Sequence, residues 1–397
     1  MENHWIASWG TAQQLAPAAE LGGGPEMPDE APPDQDAGVQ LAAPTTVSAQ
    51  TVRMVARSTI GGTAVRVALS NSFGYAPVRI GAAFLDGPAR LTFGGRDTVV
   101  LPTGAHIYSD PLEYDVAPQT DLVVSLYLPD EDVTPTVHHV GLRTAWLAPG
   151  NQAAEPKLED ATEFQSYLWL AGVDVLAPPT AATVIAIGDS LVDGMETTPD
   201  ADAPWPSALA RRLAAHPTLP PRAVINMGIA GNRVLRETDG MGASALARFD
   251  RDVLARPGAR WIILCEGTND ILFGLMPGMP ESERATAADI ITGYHMLIGR
   301  AHLHGLRVVG CTLPPIGASP VFTPEYEDIR QQVNRWIRGS GEFDAVTDLD
   351  AALRDPAAPT RARAELLSDD DVHPNDAGHM AIAEVFDLDL FAKAVMS

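Results

Sequence analysis

Ser190 stands at the end of the apolar run Val184-Ile-Ala-Ile-Gly188, with Gly188 and Asp189 just before it. A serine at the carboxyl end of a buried strand is exposed yet fixed, as a nucleophile must be. Its hydroxyl attacks only when a neighbouring base takes the proton, and imidazole has the right basicity near neutrality. Of the ten histidines, His373 best fits that task, because Asp370 precedes it by three residues and Pro374 follows. Such a spacing lets a compact turn set carboxylate beside ring, where it holds the second ring N–H and stabilises the imidazolium. Asp371 would tend to point elsewhere, and Asp369 is a weaker competitor. The bland reading of this stretch is an acidic surface turn before a helix that Asn375 or Asp376 caps.

Attack on an ester carbonyl creates an oxyanion, which needs donors aimed at it. The N–H of Ser190 would lie at a helix start, where unpaired amide donors gather. In Asn226-Met-Gly228-Ile-Ala-Gly231, the last glycine can bring its backbone N–H close, having no side chain. Asn269 of Gly267-Thr-Asn269-Asp270 offers a side-chain amide after the apolar run Trp261-Ile-Ile-Leu-Cys265. Ordinary turn chemistry would explain the glycines alone, and a helix cap or Asx-turn would explain Asn269 alone. Neither explains why both occur with the serine and with Asp370-x-x-His373.

These groups need a frame, and the chain changes character near residue 180. From about Thr51 to Leu147, short alternating runs such as Val65-Arg-Val-Ala-Leu69 and Leu122-Val-Val-Ser-Leu-Tyr-Leu128 are broken by Gly61-Gly62 and Asn71-Ser-Phe-Gly74. That rhythm argues for an antiparallel β-sandwich or jelly-roll-like domain over 1–178. Residues 15–45, rich in Pro, Gly, Ala and acid, read as a long irregular loop, and Leu176–Ala182 as a linker. From 183 to 397 strand and helix alternate. Strands are expected at 183–188, 223–226, 261–266, 307–312 and 343–348, and helices at about 205–215, 241–255, 285–304, 325–338 and 376–385. This is the pattern of an α/β fold with a parallel sheet covered on both faces, whose ligands bind beyond the carboxyl ends of the strands.

The serine is not in a Gly-x-Ser-x-Gly elbow, since Val192 holds the last position, so the α/β-hydrolase turn is disfavoured. The blocks Gly188-Asp-Ser190-Leu191, Asn226 to Gly231, Gly267-Thr-Asn269-Asp270 and Asp370-x-x-His373 together resemble the SGNH/GDSL family of serine esterases and lipases, over residues 183–397. The resemblance implies a flavodoxin-like α/β/α catalytic domain with Ser190 as nucleophile, His373 as base and Asp370 as its orienter. It implies an oxyanion hole from Ser190, Gly231 and Asn269, with Gly228 an adjacent competitor for the glycine's place. It implies no cofactor. The opening Trp5-Ile-Ala-Ser8-Trp9 before a β-rich stretch is similar to a bacterial subgroup of that family. The expected reaction is hydrolysis of carboxylic esters through an acyl-enzyme, with short acyl chains or acetyl esters of carbohydrates as substrates. Acyl transfer from the same intermediate, and a carbohydrate-binding protein using the hydrolase fold as scaffold, stay open.

Charge and composition narrow the partners. The 397 residues are 46% hydrophobic and 20% charged, and 51 acidic against 27 basic residues leave a net charge of −24. Such a field repels nucleic acid and anionic membranes and favours neutral or cationic small substrates, besides serving solubility. No apolar run approaches the ~18 residues of a membrane span. Met1-Glu-Asn-His-Trp5 shows no signal peptide, which a mature secreted or periplasmic form would lack as much as a cytoplasmic one. Oligomeric state is not legible. Cys265 and Cys311 sit in apolar runs and read as buried thiols. His138-His139 would point to opposite faces of a strand, against a metal site. Asp189, Asp270, Asp370 and His373 suggest a metallophosphoesterase by composition, but such a site wants more histidines in motif context. Glu266 either lines the cleft or is a buried carboxylate bonded to turn amides, and Trp205-Pro206 is either core or a wall of the acyl pocket. With no ligand cluster of metal spacing in view, EDTA is expected to leave esterase activity unchanged. Inactivation that added divalent metal reverses would restore the phosphoesterase reading.

Overall fold

The run Ala182-Thr-Val-Ile-Ala-Ile-Gly188 forms strand β1 (Ala182–Gly188), buried at every residue, as a continuous apolar run in the middle of a parallel sheet must be. In the computed structural model, which describes residues 2–15, 42–130 and 132–392, it pairs on one side with β2 (Arg222–Gly228) and on the other with β3 (Ala259–Cys265). Then come β4 (Arg307–Cys311) and β5 (Ala345–Thr347), all parallel, in the order β2-β1-β3-β4-β5. The winding reverses between β1 and β3. This is the flavodoxin-like order, and a crevice opens at that reversal, beyond the carboxyl ends of the strands.

Eight helices accompany this sheet among the described residues. They are α1 (Ser190–Asp193), α2 (Trp205–Ala215), α3 (Ala245–Phe249), α4 (Thr268–Leu275), α5 (Ala287–Leu303), α6 (Pro324–Gly339), α7 (Leu349–Leu353) and α8 (Asp376–Glu384). Their starts follow from capping chemistry. Thr286 and Asp289 form a capping box on α5, Thr323 caps α6 ahead of Pro324, and Asn375 caps α8 by accepting from the Gly378 N–H. One core cluster joins Val184, Trp261, Ile263 and Val309 of the sheet to Trp205, Leu209, Ile382 and Phe386. Trp205 is wholly buried and stacks on Phe386 with ring centroids 5.1 Å apart, so it is core and not a pocket wall.

The helix expected over about 241–255 is shorter and irregular: α3 passes into a single π-helical turn, Asp250–Leu254. The helix start expected at Ser190 is α1, whereas the short α4 and α7 were not foreseen. Each is a brief turn whose apolar pattern is too short to show a period.

The chain separates into two compact units, Met1–Pro179 and Thr180–Ser397. The first is β-rich, and every strand pairing in it is antiparallel. Its five-stranded sheet starts from His4–Gly10, which pairs with Leu170–Ala177, and that strand pairs with Gly62–Ser70. A six-stranded sheet centres on Gln50–Ser58 and Thr120–Leu128. Ser8 is buried and meets Ser58 Oγ at 2.6 Å, so the Trp5–Trp9 segment is a structural strand. Strands reach Ala177 and resume at Ala182, so the connection is shorter than the expected linker. The loop expected over 15–45 lies largely outside the described residues.

Gly188, the last residue of β1, has no room for a side chain. A Cβ there would lie 2.0 Å from the Cys265 carbonyl oxygen and 2.4 Å from Val192 Cγ2. Gly188→Ala is therefore expected to destabilise the protein by ~1–3 kcal/mol, as overpacking does. The check is the urea midpoint, which should fall with an unchanged m-value. A parental midpoint would mean that the strand ends are less tightly apposed than described.

Candidate active site

Ser190 is the first residue of α1, directly beyond β1. Asp189 is its N-cap: the side chain accepts from the Leu191 N–H at 3.0 Å, and its carbonyl accepts from those of Val192 and Asp193. The Ser190 N–H has no acceptor among the described residues. His373 Nε2 lies 2.8 Å from Ser190 Oγ, and His373 Nδ1 lies 2.5 Å from Asp370 Oδ2. The other oxygen of Asp370 accepts from the N–H groups of Val372 and His373 and from Ser368 Oγ. Around it the turn is closed by the Ser368 N–H on the His373 carbonyl, and the Asn375 side chain holds the Leu367 carbonyl. Asp371 takes a positive φ of 57° and is exposed, and Asp369 is exposed too.

Burial works against the Asp370 carboxylate. The hydrogen bond and positive charge of the His373 ring and two backbone donors outweigh it and hold the group well below the usual carboxylate range. Asp370 therefore stays ionised across the acid range in which an imidazole titrates.

The loop after β2 carries Gly231, whose φ of +76° belongs to the region that favours glycine. A Cβ there would meet Met241 Sδ at 2.3 Å. No described residue accepts from the Gly231 N–H. That of Gly228 is already donated to Asn226 Oδ1 at 2.9 Å, and a Cβ at Gly228 would lie 2.2 Å from the Asp193 nitrogen. Gly228 is thus a packing glycine. Two bonds tie this loop to the nucleophile's element: the Ile229 N–H on the Gly188 carbonyl, and the Ala230 N–H on Asp193 Oδ2.

Asn269 lies in the first turn of α4, after Gly267 with φ +128°. It neither caps that helix nor makes an Asx-turn. Its Nδ2 donates to the Asn232 carbonyl at 3.0 Å, leaving the second amide hydrogen for another acceptor. Asp270 accepts from the N–H groups of Val234 and Leu235, so the two loops are stapled together. Burial raises the carboxyls of Asp189 and Asp270 to about 6, against the pull of the Leu191 N–H on Asp189 and of the Val234 and Leu235 N–H groups on Asp270. Burial pushes Glu266 well above the usual range, with the Arg248 charge opposing. Glu266 is fully buried, neither oxygen has a hydrogen-bond partner, and Arg248 Nη2 lies 3.6 Å away. It is the buried strand-end carboxylate of the second expectation and not a cleft-lining group, but no described turn amide donates to it, which corrects that part of the reading.

Sequence reasoning missed Asn232, Asp193 and Arg248, whose contacts are described above and below. Asn232 follows the glycine block directly, whereas Arg248 reads as an ordinary helix charge. Elsewhere, the His138 and His139 rings each lie near a backbone carbonyl, of Val140 and Leu15 respectively. Cys265 and Cys311 are buried thiols. Among the described residues no group of three or more His, Cys, Asp and Glu could hold a metal ion, and no helix is long and apolar enough to cross a membrane.

A serine, an imidazole and a carboxylate in hydrogen-bonded line, at the switch point of a parallel α/β sheet, are the layout of a serine hydrolase. Residues 186–381 match the GDSL-like Lipase/Acylhydrolase family. That span is a GDSL-like acylhydrolase domain, and the protein is a carboxylic ester hydrolase. Among solved structures it is similar to an acetylxylan esterase from Geobacillus stearothermophilus, 20% identical over 52% of this chain and 95% of the other, with a TM-score of 0.41. It is also similar to a protein of Desulfitobacterium hafniense DCB-2 assigned to the lipolytic G-D-S-L family, 19% identical over 51% and 97%, with a TM-score of 0.39. No curated protein matches the sequence.

The depressed Asp370 gives a pH prediction. Since it stays charged, an acid limb of kcat/KM does not belong to Asp370 itself. Asp370→Asn should lower kcat/KM by ~10³–10⁴-fold. It should also move the acid limb to lower pH, because a neutral amide no longer stabilises the imidazolium. Asp371→Asn should leave rate and limb in place. A larger effect from Asp371→Asn would sink the assignment.

Proposed function

We propose that the protein hydrolyses short-chain carboxylic esters, acetyl esters of carbohydrates among them, with Ser190 as nucleophile, His373 as general base and Asp370 as the carboxylate that orients it. The observation that carries this reading is the unbroken line from Asp370 Oδ2 to His373 Nδ1 and from His373 Nε2 to Ser190 Oγ, at 2.5 and 2.8 Å. The N–H groups of Ser190 and Gly231 and the Asn269 amide serve as the oxyanion hole. Supporting that role, neither N–H is spent on a described residue, and one Asn269 hydrogen anchors the side chain while the other is available.

In the first step Ser190 Oγ adds to the ester carbonyl carbon as its proton passes to His373 Nε2, and the carbonyl oxygen becomes the oxyanion. Collapse expels the alcohol, which takes the proton from His373 and leaves the acyl-enzyme. Water then repeats the sequence: His373 accepts its proton, the hydroxyl adds to the acyl carbon, and Ser190 Oγ leaves with that proton. The carbonyl oxygen gains charge only between ground states, so donors aimed at it act on kcat more than on KM. Neutral and cationic esters are favoured by the net charge of −24.

The test is a panel of esters varying acyl length and leaving group, acetylated sugars included, on parent and variants. Ser190→Ala should remove activity by ~10³-fold or more while the fold is retained. Asn269→Ala should lower kcat ~10²-fold with KM nearly unchanged. Activity of Ser190→Ala within tenfold of the parent would displace the nucleophile, and a preference for long acyl chains would displace the substrate class.

A further inference from the structure

We propose that Arg248 is the positioning residue of the oxyanion hole, acting through Asn232 and the end of β1; this rests on the assignment of Ser190, Gly231 and Asn269 above. Arg248 is wholly buried, and its donors go to three separate pieces of the site. Nη2 donates to the Gly188 carbonyl at 2.9 Å, two residues before Ser190. Nη1 donates to the Met227 carbonyl at 2.6 Å, at the end of β2 and before the glycine loop. Nε donates to Asn232 Oδ1 at 2.9 Å.

Asn232 passes the constraint on. Its Nδ2 donates to the carbonyls of Met241 and Ala243, and its N–H to that of Ile229, so the residue next to Gly231 has no freedom to turn. Its own carbonyl receives Asn269 Nδ2 at 3.0 Å. All three oxyanion donors are therefore referenced to one planar guanidinium. The guanidinium is itself aimed by Asp252, whose Oδ2 lies 3.4 Å from Nη1 and whose oxygens are gripped by Arg251. The π-helical turn Asp250–Leu254 begins two residues after Arg248 and carries Asp252. None of these atoms touches His373 or Asp370, so the base and its orienter stand outside the device.

A lysine keeps the charge but not the fork, and one ammonium cannot reach the Gly188 carbonyl, the Met227 carbonyl and Asn232 Oδ1 together. In the full-length protein, Arg248→Lys should lower kcat on a short aryl ester by ~10²-fold, the scale of a sub-ångström to 1 Å misplacement, with KM within about threefold. An aryl trifluoromethyl ketone captures Ser190 Oγ as a tetrahedral oxyanion adduct, so its affinity should fall by the same factor as kcat/KM. The acid limb of the pH profile should not move. Asn232→Ala, which leaves both strand carbonyls on Arg248, should show the same pattern to a smaller degree, and it decides the question if Arg248→Lys does not fold. Parental kcat and inhibitor affinity in the folded variants would overturn the inference, as would a loss confined to KM or a shifted acid limb. Ser190→Ala and Asn269→Ala are run alongside. If they too keep activity, the site assignment fails; if they lose it while Arg248→Lys and Asn232→Ala do not, only the role of Arg248 fails.

Discussion

A guanidinium taken fully out of water must have its N–H groups matched, because an unpaired buried charge costs several kcal/mol. Arg248 meets that condition by spending its donors on Gly188, Met227 and Asn232 and its charge on Asp252 and Glu266. The condition works in both directions. The same guanidinium donates to carbonyls at the ends of β1 and β2.

Several acidic groups lie buried near that side chain: Asp189, Asp193, Glu266 and Asp270. Burial raises Asp189 and Asp270 to about 6 and Glu266 well above the usual carboxylate range. Backbone donors from Leu191, Val234 and Leu235 spread what charge remains. Asp370 is treated oppositely, with two backbone donors on one oxygen and the His373 imidazole on the other, and its carboxyl is held well below the usual range. Environment, not residue type, separates these carboxyls into structural and electrostatic roles.

Much of this was legible beforehand. The five parallel strands fall within a few residues of their expected places, since each is a short apolar run between turn residues, and buried parallel strands announce themselves that way. Asp370, His373 and the turn between them could be read because their relation is local. Glu266 and Trp205 could not, as one residue type fits two environments until packing chooses. Glu266 lies under Arg248 and Trp205 against Phe386.

What the sequence determined by itself, then, is whatever short-range stereochemistry dictates: the strand that stops at Ser190, the glycine backbone at 231, the three-residue reach from Asp370 to His373, and the helix caps. What only the tertiary structure decided is which of these meet. The hydrogen bond from His373 to Ser190 spans 183 residues, that from Asn269 to Asn232 spans 37, and Arg248 reaches back 60 residues to Gly188. Nothing in the spacing of Arg248 sets it apart from a solvated helix charge. It becomes the keystone only because two strand ends and the glycine loop converge on the place where its helix packs, and a buried cation there must find acceptors.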